Sequence, residues 1–247
     1  RWSLTPEQIA SFKEVGYVVI PDLIDSNVLE SWGKQIQSQI GDVFDPKTAG
    51  DPEKYRKDIT VLRNFRFTPK TTQCVNQPKV KAIIDQLGGG QLQGKDGNIR
   101  LLYPEPEREW SLPQNGHIDG YIGKRGLPFL LGLATYLYDV EPRGGGTAFW
   151  PGSHIKSWRF LQKHPDHLED TFRRHPEYLD MTKDIQPVEL CAKAGDVIFW
   201  HCNIMHETTH NLNPGTVRHG LFCRIPHKDQ ESFRDEIPDD LWKRWVI

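Results

Sequence analysis

Gly195-Asp196-Val197-Ile198-Phe199-Trp200-His201-Cys202-Asn203-Ile204-Met205-His206, running on through Glu207 to Arg224, decides how this chain folds. A Gly-Asp turn opens it, and the short apolar run Val197 to Trp200 then has strand character. Histidines follow at 201, 206 and 210, and Asn213-Pro214-Gly215 signals a turn. Working outward, the same alternation of short apolar runs and turns predicts strands over 98–103, 114–121, 129–139, 146–150, 187–191, 196–201 and 216–225. Short strands at such spacing predict a mainly β fold, a sandwich or barrel. Between them, 155–184 is charged and helical in pattern and reads as an insertion, a candidate lid.

The first part of the chain, about 1–97, reads as helical. Thr5, Pro6 and Gln8 form a helix start with a capping box, and Ile9, Phe12 and Val15 fall on one face until Gly16. Tyr17 to Ile20 is a short buried strand. Asp25-Ser26 then caps a helix carrying Val28, Leu29, Trp32, Ile36 and Ile40 at helical spacing. A third helix is predicted over 77–87, ending at three glycines. The polar stretch 41–72 reads as a long loop over the mouth of a pocket.

The chain has 247 residues and a formal net charge of −2. That balance, with no large basic tract, argues against a nucleic-acid or membrane-surface partner and leaves a small molecule as the expected one. No apolar run is long enough to span a membrane. Four cysteines, at 74, 191, 202 and 223, lack metal or redox spacing, which suits a reducing, cytoplasmic compartment. The sequence begins at Arg1, so the natural N-terminus is expected to lie upstream. Oligomeric state is not legible.

Chemistry enters at Gly116-His117-Ile118-Asp119. On an extended strand, residues two apart point to the same side. An imidazole and a carboxylate so placed supply two parts of the 2-His-1-carboxylate triad that holds non-haem Fe(II). The third part must be a histidine from elsewhere. His206 is the best candidate, with His201 and His210 as the alternatives. Arg218, near the start of the next strand, has the chemistry to grip the far carboxylate of 2-oxoglutarate through paired hydrogen bonds.

Four stretches, in order, resemble the phytanoyl-CoA dioxygenase family of Fe(II)/2-oxoglutarate oxygenases. They are LTPEQIASFKEVGYVVIPDLI at 4–24, the pair His117 and Asp119, GGGTAFWPGSH at 144–154, and GDVIFWHCNIMHETTHN through Arg218. The resemblance implies one oxygenase domain over 1–247 with a double-stranded β-helix, or jelly-roll, core at about 98–225. It implies iron on His117, Asp119 and His206 rather than His201, and 2-oxoglutarate on Arg218, with Arg224 as the fallback. It also implies O2-dependent hydroxylation of a small metabolite, with release of succinate and CO2. Halogenases of this kind carry Gly or Ala where Asp119 stands, so the carboxylate favours hydroxylation, with desaturation and ring formation as further outcomes. Competing readings are a cupin-type metalloenzyme that does without 2-oxoglutarate and a non-catalytic jelly-roll binding module.

Several residues carry lesser expectations. Thr147, after three glycines, and Thr208, two past His206, are candidates to support the cofactor's carboxylate. Tyr121 and Trp200 are candidate pocket walls, and Lys124 and Arg125 candidate contacts to an anionic substrate. His154 is expected to close a turn, His201 to lie in the core, and His219 to face away from the metal.

Overall fold

The computed structural model describes residues 2–45, 47–48, 50–119, 129–165 and 175–247. The expectations for Tyr121, Lys124, Arg125 and the middle of the 155–184 insertion fall outside the described residues.

Helix α1 (Pro6–Val15) starts as its sequence dictates. Thr5 accepts from the Gln8 N–H, and Gln8 returns the bond to the Thr5 N–H. Gly16 ends it at φ 88°, and a Cβ there would stand 2.6 Å from the His154 ring. Strand β1 (Tyr17–Ile20) follows, then α2 (Ser26–Ile40). Asp25 sits at the N-cap position of α2, but its side chain makes no capping bond and instead pairs with Lys79 at 2.7 Å. The 41–72 stretch is not one long loop. It contains helix α3 (Pro52–Leu62), capped by Asp51 through the Glu53 N–H. Half-buried Tyr55 and Ile59 and buried Leu62 give it one inward face, while the polar composition of the stretch hides that spacing. Helix α4 (Pro78–Gly88) completes the layer.

The remaining strands are β2 (Asn98–Leu102), β3 (Leu131–Tyr136), β4 (Thr147–Phe149), β5 (Val188–Leu190), β6 (Val197–His201), β7 (His206–Thr208) and β8 (Arg218–Ile225). Helices α5 (Ser153–Lys163) and α6 (Pro176–Asp180) lie between β4 and β5. Two sheets form, with every pairing antiparallel: β1-β6-β3-β8-β2 and β5-β4-β7. Over 114–119, the described part of the strand predicted at 114–121, no strand is formed. His117 makes one isolated bridge, to His206 on β7, and that three-residue strand was too short to be read from its sequence.

Period-2 alternation gives the large sheet two different faces. Leu131 and Leu133, Val197 and Phe199, Leu221, Cys223 and Ile225 turn toward the helices and join Phe12, Trp32, Ile36, Ile83 and Leu87 in one apolar core. Ala134, Tyr136, Ile198 and Trp200 turn the other way and meet Phe149 and Leu190 of the small sheet. The candidate site opens between the two sheets, beside this second core.

Candidate active site

His206 opens β7, and its main chain is tied to that of His117 by two bonds. Each residue's N–H donates to the other's carbonyl at 3.0 Å. The two rings are thereby held with centroids 4.5 Å apart. Each imidazole has its Nδ1 occupied. His206 Nδ1–H donates to the Ile204 carbonyl at 3.1 Å, and His117 Nδ1–H to Glu207 Oε2 at 3.2 Å. These partners leave both Nε2 lone pairs free and fix the ring orientations, as outer partners of metal-binding histidines do.

Asp119 completes the group. Its Oδ1 lies 3.6 Å from His117 Nε2 and its Oδ2 3.5 Å from His206 Nε2. One donor atom from each of the three residues falls within 4.8 Å of the other two. Burial would raise the Asp119 pKa, but His206 and the Arg224 guanidinium outweigh it and hold the carboxyl well below its usual range. The side chain therefore presents an anion to the gap between the rings. Two nitrogens and one carboxylate oxygen suit a divalent first-row metal such as Fe(II).

Arg224, the fallback anchor, is committed to Asp119. Its Nη2 and Nε both donate to Asp119 Oδ2, at 2.6 and 3.1 Å. Arg218 is different. It lies on the same face of β8 and is almost fully buried, and its Nε and Nη1 have no hydrogen-bond partner among the described residues. Unpaired N–H groups on a buried guanidinium are costly unless something binds them. Its nearest rings are Tyr136 and Phe222, with centroids at 5.8 and 5.4 Å. Gly220 lies between Arg218 and Phe222 on β8, and a Cβ there would come 2.6 Å from the Phe222 ring and 3.3 Å from Arg218 Nη1. The missing side chain leaves room for the guanidinium.

A cavity of about 330 Å³ connects these groups. His117, Asp119, His206, Arg218, Thr147, Thr208 and Trp200 all line it, with Asn98, Arg100 and Tyr55. Thr147 and Thr208 are cross-strand partners on β4 and β7. The Thr147 N–H donates to the Tyr136 hydroxyl at 3.1 Å, which fixes that threonine beside the arginine's strand. Every described residue expected at the site is thus brought to one cavity.

The other histidines lie elsewhere. His201 stacks on Trp245 at 5.3 Å and accepts the Asn203 N–H at Nδ1, a core role. His154 donates from Nε2 to the Lys13 carbonyl, tying α5 to α1. His219 faces Phe44 and Tyr138 on the opposite side of the sheet. His210 approaches Glu105 at 3.6 Å and takes no part in the group. Sequence reasoning missed Glu207, Tyr136, Arg100 and Gly220. Adjacency to His206 was the one signal for Glu207, and the side chain's direction could not be read from it.

Two imidazoles and a carboxylate at the mouth of a cavity that also holds a buried, unsatisfied arginine define a non-haem metal oxygenase site. Residues 12–220 match the family described as Phytanoyl-CoA dioxygenase (PhyH), and the chain belongs to that family, which makes it a dioxygenase. Ectoine dioxygenase from Stutzerimonas stutzeri (strain A1501) is 24% identical over 256 residues, covering 95% of this chain and 82% of that protein. Among solved structures, the non-heme α-ketoglutarate-dependent carbocyclase SnoK from nogalamycin biosynthesis aligns with a TM-score of 0.60 at 21% identity, covering 96% of this chain and 93% of that one. EctD from S. alaskensis with bound Fe gives 0.58 at 17% identity, covering 91% and 77%. These likenesses show a shared fold.

Proposed function

We propose that the chain hydroxylates an unactivated C–H bond of a small molecule, using Fe(II) held by His117, Asp119 and His206 and 2-oxoglutarate anchored by Arg218. Thr147 and Thr208 flank that anchor. On this reading 1–247 is one oxygenase domain, and its two sheets are the walls of a double-stranded β-helix. The observation that carries the reading is the pair of orphaned N–H groups on buried Arg218, a residue that lines the same cavity as the triad. A dicarboxylate with one end at the triad satisfies them. A cupin-type enzyme working without 2-oxoglutarate, or a non-catalytic binding module, leaves them unexplained. The names of the relatives, ectoine dioxygenase and a nogalamycin-biosynthesis carbocyclase, support a small-molecule substrate. The four free cysteines support a reducing compartment.

Bound iron with 2-oxoglutarate and O2 supplies the oxidation of an inert C–H bond, with succinate and CO2 released. The chain's part is placement and exclusion of water. His117 and His206 offer Nε2 because Glu207 and the Ile204 carbonyl occupy the opposite nitrogens. Asp119 brings a negative charge, and Arg224 orients its Oδ2. Arg218 meets a carboxylate in a site stripped of solvent, where a charge-assisted pair is strongest. Trp200 and Phe222 add apolar wall to the cavity.

Anaerobic addition of Fe(II) and then 2-oxoglutarate tests this directly. The expected result is a weak visible charge-transfer band that requires both, and succinate release once a substrate panel is supplied with O2. A band from iron that is indifferent to 2-oxoglutarate would favour the cupin-type alternative.

A further inference from the structure

The cavity at the triad has a neighbour. A second cleft, of about 530 Å³, is lined by Gln93, Lys95, Arg224, His227, Lys228 and Glu231 among others. Arg224 lines both. Backbone pairing explains why they meet. Leu92 bridges His227, the Gln93 N–H donates to the Pro226 carbonyl, and the Lys228 N–H donates to Gln91. Lys95, further along the same segment, lines this cleft together with Arg224.

Among the described residues, three of the cations along this path have no acidic partner. Lys95 and Lys228 have no ion pair or side-chain hydrogen bond among the described residues. Neither does Arg100, which lies exposed in the triad cavity. The one acidic residue in the second cleft, Glu231, is engaged by Arg234 at 3.2 Å. In the first cavity, Asp119 is engaged by Arg224 at 2.6 Å. If iron and 2-oxoglutarate bring opposite and equal charge, as the proposed function requires, the combined path keeps an excess of positive charge. Such a cleft concentrates anions and orients them as they enter.

We propose that the substrate is an anion that lies across Arg224: its reacting carbon is at the triad, and its carboxylate or phosphate group is held by Lys95 and Lys228 in the second cleft. This rests on the function proposed above and adds the class of substrate. Arg224 then works as the divider. Two of its N–H groups are committed to Asp119, and its side chain is half exposed and lines both clefts. Substrates of the same carbon skeleton without the acid group lose their hold at the far end and fail to settle over the metal.

The test uses the full chain with zinc in place of iron and saturating 2-oxoglutarate, so that Arg218 is already occupied. NMR titrations with inorganic phosphate and with acetate, read at the Lys95 and Lys228 amides and side chains, should show saturable, salt-sensitive shifts. The stronger of the two probes identifies the preferred acid. The Lys95→Gln/Lys228→Gln double variant should weaken that binding about tenfold, two modest charge pairs' worth. With iron and O2, a panel of matched acids and primary amides, and of phosphate esters and parent alcohols, should give succinate only with the charged members. The double variant should raise KM for them while keeping kcat. Neutral members turned over as well as charged ones, or anion binding unchanged in the double variant, would overturn the proposal. A failure of zinc to shift the His117 and His206 ring resonances would instead overturn the metal assignment, and this inference with it.

Discussion

Strand β8 has two faces with opposite duties. On one side His219, Leu221, Cys223 and Ile225 are buried against the helices. On the other, Arg218, Gly220, Phe222 and Arg224 turn toward the candidate site. The first face is saturated. Its apolar groups are packed, and the His219 Nδ1–H donates to the Val217 carbonyl at 2.8 Å. The second face is left incomplete, with N–H groups unsatisfied on Arg218 and a side chain missing at Gly220. Proteins keep such local deficits where a ligand makes them good. The contrast separates stability from chemistry, and substitutions on each face should report on one and spare the other.

Asp119→Ala should have the largest effect. Substrate-dependent succinate formation should fall to background while the circular dichroism spectrum is kept, and full turnover would remove Asp119 from the metal. In the core that the saturated face packs into, Phe199→Ala on β6 deletes a ring with no exposed surface. It should lower the unfolding free energy by about 3–5 kcal/mol in urea titrations, with unchanged 2-oxoglutarate affinity in the molecules that remain folded. Arg218→Leu should reverse that pattern. The KM for 2-oxoglutarate should rise on the order of a hundredfold or more, since truncating one partner of a buried charge pair costs about 2–5 kcal/mol. Arg218→Lys should not restore it, because an ammonium cannot make the paired contact.

Two buried histidines, His219 on the saturated face and His154 on α5, also set an acid limit. Burial pushes the His219 pKa down to about 4, and His154 likewise. A histidine kept neutral in the fold but free to charge when unfolded makes unfolding easier as pH falls. That loss starts below an unfolded value of about 6.5 and is complete near the folded one. Each such residue contributes at most about 3 kcal/mol over that window. Urea midpoints at pH 7 and pH 5 should differ, and by less in His219→Gln; an unchanged difference would mean that His219 takes no part. Smallest is Glu207→Ala, which frees the His117 ring. Metal affinity measured by competition with a chelator should fall roughly ten- to a hundredfold, with the unfolding midpoint nearly unmoved.

The same contrast explains what the sequence disclosed. The saturated face is legible because period-2 alternation with apolar residues is a local signal: β6 and β8 fall close to the expected 196–201 and 216–225. His117, Asp119, His206 and Arg218 were legible as types in order. What joins them was not. The His117–His206 pairing is a single bridge, which leaves no periodic trace. Arg224 had the chemistry for a distant carboxylate, and the fold gave it Asp119 instead, a contact between residues far apart in the chain. Helix α3 was hidden because its inward face is narrow and most of its other residues are polar.

The reciprocal main-chain bonds between His117 and His206 have one more consequence. Two of the three donors are spaced by backbone alone, so their scaffold does not wait for an ion to form. A zinc finger collapses when its metal is stripped; here chelation should leave an intact apoprotein, ready to be reloaded, and folding and metallation become separate events in the life of the enzyme.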